Sequence, residues 1–315
     1  MDVREAHAAF VTWLDGTKDL SPHTVRAYSS DVSALTLHVG LGSQTTDISS
    51  DTIVDFVQAQ RAAGIRATTI RRRLAALRCF CRWLLANEHL DSDPWTHVTL
   101  QVRRRRTLPR PVPPSDLTIL LDFLSHEAGV PLSMVGSRPL EKPHEGTTLL
   151  AVAVMFSTGL RVSEAVGIRC SDLDIPERSV RVTGKGSRER TVFFPGEWMS
   201  HLLNSYLATR SVLGIEHPLL FFNRLGAPLS SAAMRTRLDK AANRAGIVRR
   251  ITPHMLRHSA ATQLIESGVD IRYVQRLLGH SSLSTTEIYT HVSDSALRGM
   301  VATANVLERT FTHDN

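Results

Sequence analysis

Cysteine and aromatic residues are scarce in this 315-residue chain, which has three cysteines, four tyrosines and four tryptophans. Cys79, Cys81 and Cys170 form an odd set without paired metal-ligand spacing. This argues against a disulfide framework or a cysteine zinc site and predicts reduced thiols, as in a cytoplasm. Long apolar runs are also missing. The opening stretch MDVREAHAAF lacks the apolar core of a secretory signal, and the longest run, LLAVAVMFSTGL, is too short to span a bilayer, so no membrane association is expected. There is no glycine-rich loop of the P-loop kind, so nothing in the chain calls for ATP.

What is present is a basic, otherwise ordinary soluble composition: 42% hydrophobic residues, 21% charged residues and a net charge of +7. The length exceeds one comfortable core and predicts two domains. The positive charge points to a polyanionic partner, nucleic acid before membrane. The sharpest shift in composition is VRRRRTLPRPVPP, residues 102–114. Four consecutive arginines followed by spaced prolines suit neither helix nor strand, and the segment reads as an extended basic linker between folded flanks. Its arginines either track a phosphate backbone or are a solvated charge run.

Before the linker the patterning is helical. Ser21-Pro22 opens PHTVRAYSSDVSAL, Ser50-Asp51 opens DTIVDFVQAQRAAG, and Thr68–Asn87 carries Ile70, Leu74, Leu77, Phe80 and Leu84 at helical spacing. The arginines of this third segment fall largely on its other faces. After the linker, SVRVTGKGSRERTVFF reads as two short strands joined at a Gly-Lys-Gly turn with Lys185 at its tip. LTILLDFLSHEAG, GTTLLAVAVMFSTG and SAAMRTRLDKAANRAG read as helices, with a loop over Val130 to Gly146 between the first two. The expected class is therefore mainly α with a small β-hairpin or sheet.

Several residues carry chemical potential. In ITPHMLRHSAATQLIESG, Thr252 and Pro253 predict a helix start, which puts His254 in the first turn and Arg257 three residues later on the same face. A helix N-terminus, a proton carrier and a two-pronged guanidinium together suit an anion. His254 and His258 have i, i+4 spacing, but Met255 stands where a zinc-protease helix needs Glu, so no metal site is expected. Ser284 and Glu287 have capping-box spacing, which starts a helix just before Tyr289 and leaves His280 in a preceding turn. Arg161 precedes another helix start at Ser163, with Glu164 as an orienting carboxylate or cap. Taken singly, Tyr289 reads as a packed aromatic and Arg161 as a surface residue. Together, two arginines, a lysine, two histidines and a tyrosine are the parts for attack on a phosphodiester.

At this point the motifs resemble the tyrosine recombinases, the phage-integrase family, and within them the Xer-like branch. The strings that carry the resemblance are STGLRVSEA, TGKGSRER, TPHMLRHSAATQLIESGVDIRYVQRLLGHSS and STTEIYTHV, with LSPHTVRAYSSDV and ATTIRRRLAALRCFCRWL similar to the family's core-binding domain. The resemblance implies a helical, SAM-like DNA-binding domain over 1–101, the basic linker at 102–114, and an α+β catalytic domain over 115–315. It implies that Tyr289 is the nucleophile, that Arg161 and Arg257 clamp the scissile phosphate, and that Lys185 protonates the leaving 5′ oxygen. His254 would serve in proton transfer and His280 would hydrogen-bond the phosphate. The product would be a 3′-phosphotyrosyl link that a second strand's 5′-hydroxyl reseals, with no metal, ATP or other cofactor.

The partners implied are double-stranded DNA recombination sites and a homotetramer in the synaptic complex, with a paralogous recombinase or an accessory protein as further candidates. The location implied is the cytoplasm, at the nucleoid when bound to DNA. The tail SDSALRGMVATANVLERT offers Leu297, Met300, Val301 and Ala304 as an apolar face, either for docking into a neighbour or for packing within the chain. The Val130 to Gly146 segment is longer than the family pattern suggests. Two competing readings are a type IB topoisomerase-like nickase and a DNA-binding regulator without catalysis. The second predicts decay among the six catalytic positions, and none is visible.

Overall fold

Val3, Ala6, Phe10 and Leu14 recur at steps of three and four residues, and all four are buried along one side of α1 (Val3–Gly16). In the computed structural model, residues 1–16, 20, 22–96, 98, 111–131, 140–184, 189–279 and 294–307 are described. The chain divides into two compact units between Thr107 and Leu108.

The first unit packs α1 with α2 (Pro22–Val39), α3 (Ser50–Ala62) and α4 (Ala67–Ala86). The sequence reading did not anticipate α1, although Asp2 caps it by accepting the Arg4 N–H at 2.6 Å and Asp2 with Glu5 has capping-box spacing. Ser49, one residue before the expected start, caps α3 by accepting the Thr52 N–H at 3.2 Å. The core is strongly aromatic at its centre, with Phe10 edge-on to Phe80 at 5.1 Å between ring centroids. Along α4, Ile70, Leu74, Leu77, Phe80 and Leu84 face this core. Arg71, Arg72, Arg78 and Arg82 are exposed on the other faces. Arg72 is held in place by buried Asp31 at 2.6 Å, and Arg78 lies over the Trp95 ring.

The second unit is built around α6 (Pro143–Thr158), which is buried continuously from Gly146 to Thr158 because it is apolar on every side. Against it lie α5 (Pro114–Glu127), α8 (Gly196–Val212), α9 (Ser231–Arg244) and α10 (Pro253–Glu266). Short α7 (Val162–Val166) follows α6, and α11 (Ile271–Leu278) follows α10. An antiparallel sheet in the order β1 (Leu173–Asp174), β2 (Ser179–Thr183), β3 (Glu189–Phe193) completes the unit. The hairpin reading missed β1. In the β2–β3 register Val180 faces Val192 and Val182 faces Arg190.

Two boundaries differ from the sequence reading. Val112, within the segment read as linker, is buried in the second unit's core and donates its N–H to the Ser259 hydroxyl at 2.7 Å. Pro114 already belongs to α5, where its missing N–H costs nothing in the first turn. Likewise α6 begins at Pro143, inside the stretch read as loop, and Val130 and Leu140 are buried. Residues 132–139 of that stretch lie outside the described residues.

The last helix, α12 (Asp294–Ala304), packs within its own unit. Val301 and Ala304 are buried together with Val306 and Leu307, and Arg298 pairs with Glu177 and covers the Phe193 ring. These four tail residues are thus buried within their own unit.

Candidate active site

Thr252 accepts the Met255 N–H and Pro253 follows it, so α10 starts where the sequence predicts. One side of its first turns then carries His254 and Arg257. Both line a cleft of about 340 Å³ together with Arg161. The cleft is also bordered by Arg235, Asp239 and Arg250, with Arg250 Nε 3.4 Å from Asp239. His254 is exposed at the mouth, whereas Arg257 is 6% exposed.

A buried guanidinium needs acceptors, and Arg257 takes two main-chain carbonyls. It donates to Gly159 O at the end of α6 and to Leu278 O at the end of α11, each at 2.7 Å. Both helices end in a left-handed glycine, Gly159 at φ +65° and Gly279 at φ +63°. Helix C-termini leave carbonyls without intrahelical partners, so Arg257 satisfies two such ends at once. Two of its five N–H groups are used in this way, and the side chain still borders the cleft.

Arg161 is reached from the other direction. Gly159 turns the chain out of α6, and Arg161 stands immediately before α7. Glu164, at the third position of α7, accepts the Arg161 main-chain N–H at 2.8 Å and its guanidinium at 2.9 Å. This is the orienting and capping role the sequence suggested for Glu164. A third arginine, Arg190 on β3, completes the carboxylate with a two-pronged contact, 3.0 Å to each oxygen. Burial pushes the Glu164 carboxyl upward, but its hydrogen bonds with Arg190 and Arg161 outweigh this and hold it below the usual glutamate range.

The site therefore gathers three guanidiniums around one carboxylate. Burial first, and then the fields of Arg161 and Arg190, lower Arg257 to about 10, with Glu164 acting in the opposite direction. It remains a cation at neutral pH. An anion entering the cleft would meet uncompensated positive charge at a position where water is partly excluded, which is the arrangement that stabilises a phosphate as it gains charge.

Of the six residues singled out by sequence, Arg161, His254 and Arg257 meet here. Lys185, His280 and Tyr289 lie outside the described residues, as does the Ser284–Glu287 capping box. The sequence reading did not separate Arg190 from its neighbour Arg188, and it passed over Arg235, Asp239 and Arg250. No local signal marks them, because their positions depend on β3, α9 and the loop before α10 converging. Among the described residues, no group of three or more His, Cys, Asp or Glu stands close enough to hold a metal ion.

Residues 134–296 match the phage integrase family, and residues 8–88 match the N-terminal SAM-like domain of phage integrases. With its helical first unit, its α+β second unit and this match over most of both, the chain belongs to the phage integrase family, the tyrosine recombinases. It is thus a DNA strand-transferring enzyme of site-specific recombination that works by a tyrosine mechanism.

Within the family its likeness is to the Xer recombinases. It is 33% identical over 300 residues to tyrosine recombinase XerC of Listeria welshimeri, covering 92% of this chain and 93% of the relative. It is 33% identical over 291 residues to tyrosine recombinase XerD of Halalkalibacterium halodurans, covering 90% and 92%. The fold is shared with a lambda integrase dimer bound to a COC' core site (TM-score 0.68, 16% identity, 90% and 96% coverage). It is also shared with XerH bound to palindromic difH substrate after cleavage (TM-score 0.66, 22% identity, 87% and 78% coverage).

Proposed function

We propose that this chain exchanges DNA strands through Tyr289. The cleft that unites Arg161, His254 and Arg257 on one carboxylate-braced frame carries the reading. Arg161 and Arg257 clamp the non-bridging oxygens of the scissile phosphate, and their charge offsets the negative charge that grows as the phosphorus becomes five-coordinate. Tyr289 Oη attacks the phosphorus, and the bond to the 5′ oxygen breaks. His254 assists the transfer of the tyrosine proton, Lys185 supplies a proton to the departing 5′ oxygen, and His280 hydrogen-bonds the phosphate. The resulting 3′-phosphotyrosyl ester keeps the bond energy, so a 5′-hydroxyl from another strand reverses the step without ATP.

In this reading a helical domain over 1–101 and a catalytic domain after it grip the duplex, and Arg103 to Arg106 between them follow the phosphates. Solved relatives include a lambda integrase tetramer bound to a Holliday junction. By analogy four copies of this chain act on two duplexes in the cytoplasm, with a paralogous recombinase as the alternative partner for two of the positions.

The decisive test starts from selection of bound duplexes out of a randomised pool, which supplies the site. A nick is then placed near the centre of that site so that religation is blocked, and a denaturant-resistant protein–DNA adduct is sought. Wild type forms it with EDTA present and ATP absent, whereas Tyr289→Phe binds the duplex and forms none. An adduct from Tyr289→Phe removes the nucleophile assignment.

A further inference from the structure

Arg190, which grips Glu164 beside the cleft, has no role among the six residues above. We infer that Arg190 is a positioning residue that sets both phosphate arginines and the end of α11 in register; this rests on the reading of Arg161 and Arg257 as a phosphate clamp.

Three contacts carry the inference. First, the Arg190 fork takes both oxygens of Glu164, the same carboxylate that holds the Arg161 main chain and guanidinium. The two arginines share its four acceptor positions, so the Arg161 guanidinium is aimed by a group that Arg190 orients. Second, Arg190 Nε donates to Leu277 O at 3.2 Å, while Arg257 donates to the next carbonyl, Leu278 O. Two guanidiniums on different elements thus bind consecutive orphan carbonyls where α11 ends. Third, a Cβ at Gly279 would stand 3.1 Å from Arg190 Cζ, so glycine there lets the guanidinium lie against the chain just before the segment bearing His280 and Tyr289.

Arg190 is also on the strand that follows Lys185, with its side chain 18% exposed. No other residue among the contacts described joins β3, α7 and α11 through one side chain. Lysine cannot replace it, because one ammonium cannot reach two carboxylate oxygens and a carbonyl in fixed directions.

The test compares Arg190→Gln and Arg190→Lys with wild type in adduct formation on the nicked duplex. Each variant is measured on an ordinary scissile phosphate and on a neutral methylphosphonate at the same position. Misplacing a reacting group by about 1 Å costs on the order of 100-fold, and that loss is expected on the phosphate. Because the methylphosphonate has less charge for the arginines to offset, the loss should shrink there to less than about 10-fold, with duplex affinity retained.

Arg190→Lys keeps a cation on Glu164 and so guards the fold, and thermal melting verifies this. An equal loss on both substrates, or a wild-type rate on the phosphate, overturns the proposal. Arg161→Ala serves as the reference: if its loss does not shrink on methylphosphonate, the phosphate-clamp reading itself fails, whatever Arg190 does.

Discussion

Glu164 shows how one carboxylate can decide the electrostatics of a cationic cleft. Its side chain is 4% exposed and is tied to two arginines, so it is both a charge partner and a brace. Its ordinary value is 4.5 and its folded value is lower. A group depressed in this way adds stability above its unfolded value and loses that contribution as pH falls through the folded one. Wild type should therefore lose stability more steeply than Glu164→Gln as pH falls from about 4.5. At neutral pH the Gln variant should be less stable by about 1–3 kcal/mol, since it removes the counter-charge of half-buried Arg190 and of exposed Arg161. Denaturant melts at a series of pH values measure both effects. Parallel stability curves for the two proteins would mean that Glu164 is not ionically engaged. From sequence, Glu164 was legible as a cap because its spacing from Arg161 is local. Arg190 was not, because 26 residues separate it from Glu164.

Helix ends, more than helix bodies, build the site. The C-termini of α6 and α11 and the N-termini of α7 and α10 meet where Arg257 spans Gly159 and Leu278. Gly159 is needed twice over, for its φ of +65° and for its closeness to Leu278, whose Cδ2 would lie 2.5 Å from an added Cβ. Gly268, which follows α10, has a φ of +85° and nothing within 4 Å. Gly268→Ala should therefore cost only the backbone term, about 1 kcal/mol. Gly159→Ala adds overpacking of about 1–3 kcal/mol and should also slow adduct formation, because Leu278 carries a carbonyl that Arg257 binds. Melting temperatures and adduct rates for the pair measure the difference, and equal costs would mean that Leu278 yields freely. The capping motif at Thr252 was readable because caps are local chemistry. Helix α1 was equally legible, in its Asp2 cap and its apolar residues at steps of three and four, and was passed over. The start of α6 was hidden by the proline and charge around it.

At the scale of the whole molecule, charge and connectivity govern how DNA is held. The net charge of +7 and the exposed arginines of α4 favour a polyanion. The affinity for a duplex should fall linearly on a log–log plot against salt, with about 0.9 of slope for each phosphate neutralised. Replacing Arg103, Arg104, Arg105 and Arg106 by Gln should reduce that slope by up to about 3.6 if the segment follows the backbone. An unchanged slope in filter or fluorescence titrations would mean these arginines face only water. The tail also belongs to this scale. Its apolar face suited either a neighbour or the parent chain, and Val301, Ala304, Val306 and Leu307 are buried in the parent's own core. A periodic apolar stripe specifies burial without naming its partner.

Local chemistry in the sequence was enough to place most helices and the β2–β3 hairpin, because caps, prolines, glycines and periodic apolar residues act over a few positions; the family was legible only through the resemblance of whole motif strings. It was also enough to nominate Arg161, His254 and Arg257. Tertiary structure alone decided that Arg190 joins them through Glu164, that Arg257 is held by two helix ends, and that the last helix packs onto its own unit. Those facts depend on which surfaces meet once apolar faces are buried. Such meetings bring together residues tens of positions apart, and no local spacing records them.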